Sequence, residues 1–168
     1  MKTVDNLLKK KGSQIWAIGP DASIYEAVSM MAEKGIGALL VMEGEQLHGI
    51  ISERDYARKV ILAGKSSRQT PVREIMTTAV LCAKLEQSVE QCLALMTDKR
   101  IRHLPVADGG KVVGLVSIGD LVKEIIAEQQ FIIEQLEPDR GEITARHDLI
   151  VSQLEQNLPE AMDQPVID

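Results

Sequence analysis

Apolar positions along this chain alternate between two rhythms. In "SIYEAVSMMAEKG", Ile24, Ala27, Val28 and Met31 recur at helical spacing, and the stretch stops at Gly35, a natural helix end. "ALLVM" and "LHGIIS" are short apolar runs on either side of Glu43-Gly44-Glu45, a pattern that predicts a hairpin with a turn glycine. Ahead of them, "QIWAI" reads as a short strand closed by Gly19-Pro20. Behind them, "ERDYARKVILAG" reads as a helix with one apolar face. The predicted order is strand, helix, strand, strand, helix.

That order occurs twice. Residues 23–61 align with 88–126 at a constant offset of 65 without a gap, and eleven of the 39 positions are identical. Most of the others exchange like for like, as Ile50-Ile51 for Leu115-Val116. A period this long is a duplicated small domain and not a solenoid repeat. "VREIM" is a helical lead-in to the second copy and matches "VDNLL" at the front, while "GKSSRQTPV" (64–72) has the composition of a linker. The expected division is 1–65, 66–136 with a final helix about two turns longer, and 137–168 as a tail. A βαββα unit of about 60 residues cannot cover its own sheet. The expected fold is therefore mixed α/β (α+β), with two such units packed sheet to sheet about a pseudo-two-fold axis.

Both copies carry Gly–apolar–apolar–Ser–x–x–Asp, as "GIISERD" (49–55) and "GLVSIGD" (114–120). Ser-x-x-Asp at a helix start is a capping box: the hydroxyl accepts a backbone N–H three residues on, and the carboxylate reaches back. A hydroxyl and a carboxylate at such a corner can also hold the hydroxyls of a sugar. The two readings are compatible.

Composition narrows the field. Apolar residues make up 45% of the 168, but Trp16, Tyr25, Tyr56 and Phe131 are the whole aromatic complement, so the core is aliphatic. Residues 1–136 carry 17 acidic and 17 basic side chains, and residues 137–168 carry 8 acidic and 2 basic, so the net charge of −6 sits in the tail. A neutral body with an acidic tail argues against nucleic acid or an anionic membrane as partner. No apolar run reaches the ~20 residues of a membrane span, and the N-terminus lacks a secretory pattern. Cys82 and Cys92 read as small buried apolar residues of a cytoplasmic protein. His48, His103 and His147 share no metal-ligand spacing, and neither a phosphate-binding loop nor a catalytic triad order is present.

Taken together, "REIMT", "RIRHLPVAD" and the Ser-x-x-Asp corner make residues 3–128 resemble a tandem pair of cystathionine-β-synthase (CBS) domains. The resemblance implies a regulatory protein without catalytic activity and without a required cofactor. It implies adenine nucleotides such as AMP, ADP, ATP or NAD in two symmetry-related clefts, and a homodimer. It places Ser52 and Asp55 beside a ribose in one cleft, Ser117 and Asp120 in the other. It puts backbone contacts to adenine around Ile15-Trp16 and Thr78-Ala79-Val80, and phosphate contacts at Arg100, Arg102 and His103, where the first copy has Gly35, Gly37 and Ala38. Arg54, facing Gly119 in the repeat, is expected to reach a phosphate. The competing reading is a dimeric adaptor that binds a protein and has vestigial clefts.

Overall fold

The structure, a computed structural model, describes residues 2–136 and 147–153. Helix α1 (Val4–Lys11) starts at Thr3, whose hydroxyl accepts from the Asn6 N–H while the Asn6 side chain accepts from the Thr3 N–H. Strand β1 (Ala17–Ile18) is followed by α2 (Ile24–Lys34), β2 (Ala38–Glu43) and β3 (Gln46–Ser52). Helix α3 is only Glu53–Tyr56 and widens into a π turn over Ala57–Ile61. A 3₁₀ turn at Val72–Glu74 precedes α4 (Val89–Lys99), β4 (His103–Asp108), β5 (Lys111–Ser117) and α5 (Ile118–Leu136).

The two hairpins are superposable residue for residue. Ala38 pairs with Ser52 and Val41 with Gly49 in the first, His103 with Ser117 and Val106 with Gly114 in the second, and the register shifts at the equivalent point in both. Helices α2 and α4 both start at a serine with a complete capping box, Ser23 with Glu26 and Ser88 with Gln91.

Two elements differ from the sequence reading. β1 runs parallel to β2 and makes a three-stranded sheet, but β4 and β5 stand as two strands, with a single parallel bridge from Ala83 to Val106. The second copy's counterpart of β1, Cys82-Ala83, is therefore no strand. The reason is Pro105. In the first copy the Leu40 N–H donates to the Trp16 carbonyl to close the β1–β2 ladder. Pro105 occupies the equivalent position and has no N–H to give. The helix expected over 53–64 is likewise short. Its π turn brings Val60 into the core and leaves Ile61 and Leu62 exposed.

Each core is closed by a lead-in from across the linker. Ile24, Met31, Leu39, Val41 and Ile51 pack with Val72 and Ile75, whereas Met96, Leu104, Val106, Val116 and Leu121 pack with Val4, Leu7 and Leu8. Val4 N–H donates to the Gln87 carbonyl, and Val72 N–H to the Ala22 carbonyl. The residue-65 boundary thus separates each hairpin from the segment that caps its core. Burying Val4, Leu7 and Leu8 contributes about 1.5–3 kcal/mol each, so α1 is a structural part of the second core. The contact leaves no space for a side chain at the motif glycines. A Cβ on Gly49 would lie 2.7 Å from the Thr77 carbonyl oxygen and 2.9 Å from the Met76 sulfur, and one on Gly114 would lie 2.8 Å from the Leu8 methyl carbons.

Residues Met1–Ile126 form one compact unit and Ala127–Asp168 another. In the second unit Phe131, Ile132, Ile133 and Leu136 are exposed, and residues 147–153 are helical. The rest of the acidic tail lies outside the described residues.

Candidate nucleotide-binding clefts

The two Ser-x-x-Asp corners are built alike. The strand ends at the serine, and the first helical N–H turns back onto the entry of its own hairpin: Glu53 donates to the Gly37 carbonyl at 3.1 Å, and Ile118 to the Arg102 carbonyl at 2.9 Å. Ser52 N–H and hydroxyl donate to Asp55 Oδ2 at 3.0 and 2.9 Å, and the Asp55 N–H donates to the Ser52 hydroxyl at 3.3 Å. The same three bonds at Ser117 and Asp120 are 2.8, 2.8 and 3.2 Å. Both capping boxes are real, and each carboxylate is held rigidly at the mouth of a cleft.

The first cleft, about 220 Å³, gathers Ser52, Arg54, Asp55, Thr77, Arg102 and His103. The second, about 390 Å³, gathers Lys11, Gln14, Trp16, His103, Ser117 and Asp120. His103 and Gly37 belong to both. A Cβ at Gly37 would sit 3.6 Å from both His103 Cε1 and Glu53 Oε2, in ordinary van der Waals contact.

The environments of the two carboxylates diverge. Asp55 Oδ1 pairs with Lys59 one turn along its own helix, at 2.8 Å. Asp120 Oδ2 takes the Lys11 ammonium, which also donates to the Leu115 carbonyl at 2.9 Å. Asp120 Oδ1 has no partner among the described residues, so one carboxylate oxygen is available to a ligand. Burial pushes the Asp120 carboxyl up, but the hydrogen bonds from Lys11 and Ser117 outweigh it and hold the group below the usual carboxylate range. For His103 burial is the largest influence and lowers its value; Asp120 opposes this, while Lys11 and Arg102 reinforce it. The imidazole shared by the clefts is thus neutral at neutral pH. Arg54 donates to the Arg100 carbonyl at 3.1 Å, and the Arg102 guanidinium makes no hydrogen bond or ion pair among the described residues.

Of the residues singled out in the sequence, Ser52, Arg54, Asp55, Arg102 and His103 meet in the first cleft, and Trp16, His103, Ser117 and Asp120 in the second. Ile15, Thr78, Ala79, Val80 and Arg100 line neither. Thr77, bridged to Ile50, stands where Thr78 was expected. Arg100 is the αL residue that ends α4, contributing its carbonyl and not its side chain. Lys11 was missed. Its only signal was the run Lys9-Lys10-Lys11-Gly12, which reads as a helix C-terminus with favourable dipole charges. No group of residues that could hold a metal ion occurs among the described residues, and none of their helices is long and apolar enough to cross a membrane.

The CBS domain family model matches residues 12–61 and 72–127. The chain is 40% identical over 144 residues to the mitochondrial CBS domain-containing protein CBSX3 of Arabidopsis thaliana, covering 80% of this chain and 69% of that one. A solved structure of a signal-transduction protein with CBS domains from Burkholderia ambifaria MC40-6 is 53% identical, with a TM-score of 0.74 and coverage of 76% of this chain and 96% of the other. The CBS domain pair of protein MJ0100, solved with 5′-methylthioadenosine and S-adenosyl-L-methionine, is 26% identical with a TM-score of 0.68, covering 76% and 98%.

Proposed function

Because this chain belongs to the CBS-domain family, whose paired domains are regulatory modules, we propose that its two clefts bind adenine nucleotides (AMP, ADP, ATP or NAD) and signal their occupancy to a protein partner. The observation that carries this reading is the doubled corner. A rigid carboxylate stands at each cleft, and at Asp120 one oxygen remains for a ribose diol, whose two hydroxyls a carboxylate can accept together. Arg102 and Arg54 offer guanidinium donors to phosphate beside the first corner. The solved pair that holds adenosine-containing molecules supports the same ligand class.

Pairing of two chains belongs to the same reading. Ile61, Leu62, Val122 and Ile126 expose apolar side chains, and sedimentation at micromolar concentration is expected to give a dimer.

Calorimetric titration with AMP, ATP and NAD tests the function. A hydrogen bond to a charged group is worth about 1.5–3 kcal/mol, so Asp55→Ala and Asp120→Ala should each weaken binding roughly ten- to a hundredfold at one cleft. Loss of the cap costs about 1 kcal/mol of stability. Unchanged affinity in both variants, with that stability loss, would assign the motif to capping alone. A wild-type protein with no nucleotide affinity would leave the adaptor reading in its place.

A further inference from the structure

The two clefts carry the same corner but spend their cations differently. In the first, Asp55 is satisfied from its own helix by Lys59. Arg102 has no partner among the described residues, and Arg54 commits one N–H to a backbone carbonyl. Guanidinium donors therefore remain for an anion. In the second, Lys11 is the only lysine or arginine among the described residues lining the cleft, and its ammonium is already bound to Asp120 and to the Leu115 carbonyl. His103, shared by both, brings no charge at neutral pH. A phosphate entering the second cleft would have to take Lys11 from Asp120, and the carboxylate left behind would repel it.

Resting on the nucleotide reading above, we infer that the clefts take different chemical classes: the Asp55 cleft a phosphorylated adenine nucleotide, the Asp120 cleft an adenosine unit to whose binding phosphate adds nothing. Arg102 is the specificity residue of the first, and the Lys11–Asp120 pair that of the second.

Trp16 is the single tryptophan and lines the second cleft only, so its emission reports that cleft while calorimetry registers both. Adenosine and ATP, without added metal, are the probes. Both should shift Trp16 emission with dissociation constants within threefold of each other. Calorimetry should show a second event in which ATP binds at least tenfold more tightly than adenosine. Arg102→Ala should cut that advantage below threefold and leave the emission titration in place, and Arg102→Lys should restore part of it. ATP acting on Trp16 emission tenfold more tightly than adenosine would overturn the inference. So would an ATP advantage that survives Arg102→Ala, or ATP heat with Trp16 silent to both probes. If neither probe gives heat or an emission change, the nucleotide reading itself fails.

Discussion

The first and second copies share a register, a bulge and a corner, yet they reach stability by different routes. The first has a third strand, and its α3 stops after four residues and widens into a π turn that holds Val60 in the core. The second has no third strand, since Pro105 cannot donate. It is braced instead by the whole of α1, through Val4, Leu7 and Leu8 and through ion pairs to α5. There the Lys2 and Lys10 ammoniums donate to the Glu124 carboxylate, and these hydrogen bonds hold it below its ordinary value. Duplication fixed the hairpins, and what lies against them was free to diverge. The functional consequence is Lys11. The brace that compensates for the missing strand also carries an ammonium into the second cleft.

The comparison breaks most sharply at the motif glycines. A methyl group on Gly49 would meet a backbone carbonyl, which can move only with the chain, whereas on Gly114 it would meet the end of the Leu8 side chain, which can turn. Overpacking costs about 1–3 kcal/mol. Gly49→Ala should lie at the top of that range and Gly114→Ala near the bottom, read as a loss of unfolding free energy in urea. Shortening Leu8 to alanine should recover most of the Gly114→Ala loss beyond the cost of Leu8→Ala alone. Equal losses at the two glycines would show that the lead-ins do not press on the hairpins as unequally as these contacts state.

Much of this was legible in the sequence. The hairpins follow from apolar runs around Gly44 and Gly109, and the capping boxes from Ser-x-x-Glu, Ser-x-x-Gln and Ser-x-x-Asp. Other features were not. "VDNLL" and "VREIM" have the same apolar pattern, so periodicity cannot say which core each enters, and the exchange is a tertiary choice. The loss of the strand at 82–83 depends on one N–H missing from Pro105, a residue that looks harmless within an apolar run. Arg100 looks like a cleft cation, yet it takes the left-handed conformation that ends α4 and lines neither cleft. Lys11 reached its cleft only through the exchange of lead-ins.

A second way to sharpen the comparison uses pH. The first copy has Ala38 where the second has His103. Burial, with Lys11 and Arg102 nearby, lowers His103 below its ordinary 6.5, although Asp120 pulls the other way. Between the folded value and 6.5 the unfolded chain binds the extra proton. The contribution of His103 to stability is thus complete above 6.5 and declines as pH falls through the folded value. Asp120 and Glu124 are lowered from 3.8 and 4.5, so their contributions are lost only on further acidification, as pH drops below those values. His103→Gln should flatten urea midpoints between about pH 7 and pH 5 and leave the acid limb unchanged. Parallel profiles for variant and wild type would remove His103 as the source.

The smallest effect expected comes from the ends of α2 and α4. Gly35 and Arg100 are equivalent, and both adopt the left-handed conformation, with φ of 64° and 53°. Arg100 is the only residue other than glycine with positive φ among the described residues. The conformation costs glycine nothing and costs a residue with a Cβ about 1 kcal/mol or somewhat more. Arg100→Gly should therefore stabilise the protein by about 0.5–1 kcal/mol, the opposing loss of unfolded-chain freedom being the smaller part. Gly35→Ala should destabilise by a similar amount. The Arg54 hydrogen bond survives, because it is made to the carbonyl of residue 100 and not to its side chain. Nucleotide affinity in Arg100→Gly should stay within twofold of wild type. A tenfold loss for ATP with adenosine unaffected would mean that the Arg100 side chain turns into the first cleft when phosphate arrives, and Arg102 would then share its role.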